Sequence, residues 1–178
     1  MNKKADERLL HDHAELGDLL NQLNASLEAN DVARTHAALD LFWARLAVHI
    51  RAEYLHLFPA ISRAAGRVDA SNEVLPPAEP EHTIAKLRED HDFFMHELAE
   101  AIAITRDLSP KVEANTVTQL GEVKAKIDAV CARLVIHNEI EETGIYEWSS
   151  SLLSEGEQTE LASQVQKELD NLPPRFSV

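Results

Sequence analysis

One apolar helical stripe ends in two polar residues, and this interruption limits what the chain can fold into. In the segment from about residue 116 to 148, apolar side chains recur in alternating steps of four and three, the spacing of a helix with one buried face. The stripe consists of Val123, Ile127, Val130 and Leu134. The next two positions in the series are His137 and Glu141. Because burying an unpaired carboxylate is costly, this pair indicates a positively charged partner inside a helical protein.

Three other predicted helices carry a histidine at an apolar position of their stripes. These helices span about 6 to 29, 33 to 64 and 82 to 107. The histidines are His13, His49 and His91. Glu53 follows His49 at a distance of four residues, so both side chains lie on one helix face. His56 continues the stripe of the second helix one turn beyond Glu53. The remaining histidines are expected at the surface: His11, His36, His82 and His96.

Length and composition predict an all-α protein. The chain has 178 residues, only five of them glycine, and is rich in helix-forming residues. The Pro-containing segment 66–80 predicts a linker inside a single domain, 1–178, whose bundle covers 6–148. A capping-box pattern predicts a short C-terminal helix at 154–171. The expected architecture is an up-down four-helix bundle with this fifth helix.

Charge and cysteine content exclude several classes of function. A formal net charge of −14 argues against a nucleic-acid partner, which needs a basic face. The only cysteine is Cys131, which excludes an intramolecular disulfide and a CxxC motif. No apolar run approaches the length of a membrane span, and the first residues lead into an amphipathic helix rather than an apolar signal core. A cytoplasmic protein is therefore expected.

The two halves of the chain are similar to each other. Residues 9–13 align with 87–91, sharing a leucine and an Asp-His pair, and residues 44–49 align with 132–137. The alignment continues through the two glutamates to Leu57-Phe58 and Ile145-Tyr146. The matching placement of polar residues favours an internal duplication.

The spacing of the four histidines predicts that they meet at one level of the bundle. The midpoints between successive histidines fall at positions 31, 70 and 114, each inside a predicted turn or linker. Residues equidistant from a turn lie side by side on antiparallel helices. Four imidazoles and two carboxylates inside a bundle suit a pair of first-row transition-metal ions. Iron is the best match and manganese the second.

This pattern of His, His-x3-Glu, His and His-x3-Glu resembles the hemerythrin-like, or HHE cation-binding, proteins over about residues 6–148. The segment from His49 to Glu53, followed by Leu57-Phe58-Pro59, is similar to the family's second-helix ending. The resemblance implies two non-haem iron ions, the first bound by His13 and His49 and the second by His91 and His137. It implies that Glu53 and Glu141 bridge them.

The third helix departs from the oxygen-carrying hemerythrins. Met95 stands where those proteins have a second histidine, and the fourth helix has His-x3-Glu in place of their His-x4-Asp. One iron would then need another ligand, for which water, His56 and Glu142 are the candidates. This departure argues against reversible oxygen storage alone and favours binding of oxygen, peroxide or nitric oxide by a sensor, store or scavenger.

Two other functional hypotheses fit the sequence. The first is catalytic: a diiron oxidase, a peroxide-consuming enzyme or a repair protein that donates iron. The second is a metal-free interaction bundle whose fifth helix docks a partner. A homodimer is compatible with all of these hypotheses.

Overall fold

The computed structural model describes residues 4–67, 78–108 and 113–176, which form helices and short connections without any strand. The helices are α1 (Ala5–Glu28), α2 (Val32–Ala52), α3 (Phe58–Ala65), α4 (Ala78–Asp107), α5 (Glu113–Ile140), α6 (Tyr146–Leu152) and α7 (Glu155–Leu169). A π-helical turn, Glu53–Leu57, joins α2 to α3, and a second, Glu141–Ile145, joins α5 to α6. A 3-10 turn, Pro174–Phe176, follows α7. The all-α prediction is confirmed.

The helix boundaries differ from the predicted ones mainly before α4. This helix begins at Ala78, so the last positions of the expected linker 66–80 are helical. Residues 68–77 of that linker, and 109–112 of the expected break before the fourth helix, lie outside the described residues.

Local side-chain chemistry explains two of the helix ends. Asn30 follows α1 with φ of 52°, a left-handed conformation that asparagine tolerates better than most residues. The next residue, Asp31, accepts a hydrogen bond from the Arg34 N–H at 3.0 Å and caps α2. At the start of α7, Ser154 and Glu157 form the predicted capping box.

The two π-helical turns occupy equivalent positions in the two halves of the chain. In the first, the Phe58 N–H donates to the Glu53 carbonyl, and in the second the Tyr146 N–H donates to the Glu141 carbonyl. Pro59 lies at the start of α3, where its missing N–H costs little. The second turn contains no proline, so these wide turns do not depend on one.

Two apolar clusters lie on either side of the level of the histidines. On α1, Leu9 belongs to one cluster and Leu16 to the other, with His13 between them. On the α2 side, Leu46 and Leu57 are divided in the same way around His49. α7 packs on α1 and α2 and adds its buried side chains to the first cluster. Among the described helices, none combines the length and apolar character needed to cross a bilayer.

We expect Ser154→Ala to lower the free energy of unfolding by about 1 kcal/mol, because the N-terminal amides of α7 lose their cap. Urea denaturation followed by circular dichroism measures the change. Ser151→Ala is the matched control, since among the described residues this exposed serine bonds only the Trp148 carbonyl, at 3.4 Å. Equal effects of the two substitutions would contradict the capping role.

Candidate metal centre

The structure brings together all six predicted ligand residues in a buried layer between the two apolar clusters. His13 is 9% exposed, and the other five are 2% exposed or less. One histidine comes from each of α1, α2, α4 and α5, and each π-helical turn begins with one of the glutamates. The six residues are His13, His49, Glu53, His91, His137 and Glu141. Their role as metal ligands stays a prediction.

The first group of donor atoms, here the His13–His49 site, joins α1, α2 and the second π-helical turn. The Nε2 atoms of His13 and His49 lie 3.3 Å apart. Glu141 Oε2 lies 3.2 Å from His13 Nε2. These three residues each offer one donor atom, and the three atoms lie within 4.8 Å of one another.

The second group, here the His91–His137 site, contains four donors within the same distance limit. The two Nε2 atoms are 3.1 Å apart. Glu141 Oε1 lies 3.0 Å from His137 Nε2, and Glu53 Oε2 lies 3.3 Å from His91 Nε2. The four donors therefore lie within 4.8 Å of one another.

Both glutamates face both sites. Glu53 places Oε1 3.4 Å from His49 and Oε2 3.3 Å from His91. Glu141 places Oε2 3.2 Å from His13 and Oε1 3.0 Å from His137. Each carboxylate thus offers one oxygen to each site, as a carboxylate that bridges two cations must.

Two of the imidazoles form hydrogen bonds through Nδ1 with buried aspartates. Asp12 Oδ2 lies 2.9 Å from His49 Nδ1, and Asp90 Oδ2 lies 3.3 Å from His137 Nδ1. A hydrogen bond from Nδ1–H to a carboxylate fixes the tautomer in which Nε2 is a free acceptor, and it makes the ring a stronger metal ligand.

Each of these aspartates is held in turn by an arginine. Arg45 donates to Asp12 Oδ1, and Arg133 donates to Asp90 Oδ1. Each arginine lies four residues before the histidine that its aspartate holds, within the aligned segments 44–49 and 132–137. The duplication therefore includes the residues that position the candidate ligands as well as the ligands themselves.

The donor set fits a metal ion because hydrogen-bond acceptors of the histidines and glutamates face one another with no N–H or O–H group between them. Both oxygens of Glu53, and Oε1 of Glu141, are fully buried and have no hydrogen-bond partner among the described residues. With His49 and His137 in the tautomer that their aspartates favour, the Nε2 atoms facing these oxygens are acceptors as well. A cation at each site would satisfy all of these atoms at once.

In the absence of a cation, protons stabilise the same arrangement. Burial lowers the pKa of His49, but the charge of Glu53 and the hydrogen bond to Asp12 outweigh it and hold the pKa well above the ordinary 6.5. Burial raises the pKa of Glu53, but the charge of His49 outweighs it and holds the pKa well below the ordinary 4.5. The pKa of His137 is also raised, because Glu141, which accepts a hydrogen bond from the protonated ring and attracts its charge, outweighs burial.

Neither residue suggested as a substitute ligand for the missing third-helix histidine belongs to a donor group. His56 Nε2 lies 3.7 Å from Glu168 on α7. Glu142 Oε1 lies 3.0 Å from His13 Nδ1, on the side of the ring opposite the donor atom. Glu142 therefore orients His13 as the aspartates orient His49 and His137.

Sequence reasoning missed Tyr146 as a member of the site. Its hydroxyl lies 3.1 Å from His13 Nε2 and donates to Glu141 Oε2 at 3.5 Å. Burial, reinforced by the charge of Glu141, raises the pKa of this phenol well above the ordinary 10. Sequence reasoning also assigned no role to Asp12 and Asp90, although the repeated Asp-His pair was a signal for both.

The remaining histidines lie outside the centre. His36, expected at the surface, is instead half-buried, with Nδ1 2.8 Å from Thr105 Oγ1. His11, His82 and His96 are exposed as expected. His96 forms a surface group with Glu97 and Glu100.

Comparison with known families gives one match. The chain matches the hemerythrin HHE cation binding domain over residues 4–149. No curated protein and no solved structure shows significant similarity to it.

We expect the metal-free protein to lose stability as pH rises above about 6.5. A histidine with a raised pKa stabilises the fold fully below its unfolded pKa, and this contribution is lost as pH rises through the folded value. The contribution of Glu53 to stability has the opposite pH dependence. It is present above pH 4.5 and is lost as pH falls through the pKa of Glu53 in the folded protein. Urea denaturation of chelator-treated protein across this range measures the effect. A free energy of unfolding that stays constant or rises with pH would contradict the conclusion that protons stabilise the metal-free site.

We expect Asp90→Asn to weaken metal binding by about 10- to 100-fold, because His137 loses its charged hydrogen-bond partner. Competition with a chromogenic chelator measures the affinity. Asp92→Asn is the matched control, since Asp92 is an exposed residue of the same helix. If the two variants bound metal equally well, Asp90 would have no part in positioning the ligand.

Proposed function

The chain belongs to the hemerythrin HHE cation-binding family, and we propose that it is a non-haem diiron protein that binds oxygen, peroxide or nitric oxide as a sensor, store or scavenger. The observation that supports this proposal best is the placement of Glu53 and Glu141, each with one oxygen toward each histidine pair. Two metal positions that share two carboxylates are the arrangement expected of a dinuclear centre.

Each candidate ligand has a distinct role in this proposal. His13 and His49 would hold one ion, and His91 and His137 would hold the other. Glu53 and Glu141 would each offer one oxygen to each ion, and their negative charges would then have partners in the buried layer. Bound iron supplies redox chemistry and the open coordination positions that small ligands need. Manganese is the second choice, because it accepts the same nitrogen and oxygen donors.

Buried aromatic rings exclude water from the His91–His137 site. The Phe58 ring stacks on His91 with ring centroids 6.1 Å apart, and the Phe94 ring packs edge-on to His137 with centroids 5.2 Å apart. Both phenylalanines are fully buried. A dry surrounding favours a small, weakly polar ligand over bulk water and strengthens the electrostatic contacts inside the centre.

The helix contacts support the up-down four-helix arrangement that the proposal includes. α1 contacts α2, α2 contacts α4, α4 contacts α5, and α5 contacts α1. This closed ring of contacts is typical of a four-helix bundle, with α7 added along α1 and α2. A single cysteine in 178 residues also fits a protein of the reducing cytoplasm.

We expect full-length protein loaded anaerobically with Fe(II) to hold two iron ions per chain and, after oxidation, to change its absorption spectrum when azide is added. Elemental analysis measures the iron content. His137→Ala is expected to hold less iron and to lose most of the azide response, because a buried ligand is missing. Wild-type protein that holds no iron after loading would end the proposal.

His96→Ala is the matched control for this experiment. His96 lies on the surface beside two glutamates, so it is also a ligand-type histidine, but one outside the buried centre. We expect this variant to keep the wild-type iron content and azide response. Stopped-flow measurement of peroxide by the same samples separates binding from turnover: a binding protein forms a stable complex, whereas the alternative enzyme consumes excess peroxide.

A further inference from the structure

The two candidate metal sites differ in how closely their histidine and carboxylate donors are grouped. The His91–His137 site has four donor atoms within 4.8 Å of one another, and the His13–His49 site has three. Glu53 Oε1 lies 3.4 Å from His49 Nε2, as expected of a bridging carboxylate, but is not part of this close group of three. The close group of the His13–His49 site is therefore one protein donor smaller than that of the other site.

A phenol oxygen lies beside this close group of three donors. Tyr146 Oη lies 3.1 Å from His13 Nε2 and 3.5 Å from Glu141 Oε2, and His13 Nε2 in turn lies 3.3 Å from His49 Nε2. Donor atoms separated by such distances can all lie about 2 Å from a common centre, which is the usual metal–ligand bond length for nitrogen and oxygen. Tyr146 is 3% exposed, so no bulk water competes at this position.

We infer that Tyr146 is a ligand of the metal ion in the His13–His49 site, bound through its phenolate oxygen. The inference rests on the proposed diiron centre and specifies which protein atom completes one of its two sites. Tyr146 does not replace the missing third-helix histidine, because Met95 lies on α4, one turn after His91 of the other site.

The other half of the chain has a phenylalanine at the equivalent position. Phe58 aligns with Tyr146, follows the first π-helical turn in the same way, and packs against His91 as Tyr146 packs against His13. The duplication therefore places a ring beside each site, but only one ring carries an oxygen. The site with three close donors has the tyrosine, and the site with four has the phenylalanine.

The π-helical turn gives Tyr146 its access to the site. In an α-helix, a residue five positions after Glu141 would point about 140° away from it around the helix axis. In a π-helical turn the hydrogen bond joins residues i and i+5, which brings residue i+5 back over residue i. This wide turn therefore places the oxygens of both Glu141 and Tyr146 close to His13 Nε2.

Binding exchanges one cation for one proton. The phenol O–H bond breaks, the oxygen keeps the electron pair and forms the bond to Fe(III), and the proton leaves to bulk water. A metal ion makes this possible because it stabilises the deprotonated form of an oxygen ligand. No electron is transferred in this step.

The test uses full-length protein loaded with Fe(II) and oxidised with oxygen. We expect a phenolate-to-Fe(III) charge-transfer band in the visible spectrum, and resonance Raman excitation within it should enhance tyrosinate ring vibrations. The chain has two tyrosines, Tyr54 and Tyr146. The Tyr54→Phe variant should keep both signals, and Tyr146→Phe should lose both while the His91–His137 site keeps its iron.

Wild type and Tyr54→Phe decide the question even if Tyr146→Phe folds poorly, since Tyr146 is the only phenol left in the Tyr54→Phe protein. Wild-type protein with two iron ions and no tyrosinate signal would overturn the inference and leave the diiron proposal standing. A tyrosinate signal lost in Tyr54→Phe would also overturn it. Wild-type protein without iron would instead reject the diiron proposal.

Discussion

The structure depends on two glutamates that are completely buried among nitrogen acceptors. A carboxylate in this position is unfavourable unless a positive charge is shared with it, so every neighbouring group has to be arranged around that charge. The paired imidazoles face the carboxylates, the aspartates orient two of the imidazoles, and the arginines hold the aspartates. The apolar clusters above and below this layer provide the stability that a polar layer alone would not.

Helix geometry explains why the sequence predicted so much of the centre. A regular spacing of three and four residues fixes which side chains share a face, and the distance to the nearest turn fixes their level. His13, His49, His91 and His137 lie at one level for these reasons, and their glutamates lie with them. The all-α fold and the capping box of α7 follow from equally local rules.

What the sequence did not predict depends on departures from that regular geometry. Tyr146 follows a π-helical turn, and no residue pattern in the sequence predicts that the α-helix widens there. The half-buried position of His36 depends on Thr105 of another helix. Asp12 and Asp90 were visible as a repeated pair, but their partners became clear only when the helices were brought together.

The two histidine pairs have unequal surroundings, although the halves of the chain are duplicated. His13 Nδ1 lies 3.0 Å from the Glu142 carboxylate, whereas no described residue forms a hydrogen bond with the buried Nδ1 of His91. A negative partner makes an imidazole a better electron donor to a cation. The duplication therefore places two chemically different imidazoles, one electron-rich and one less so, on opposite sides of the same pair of carboxylates.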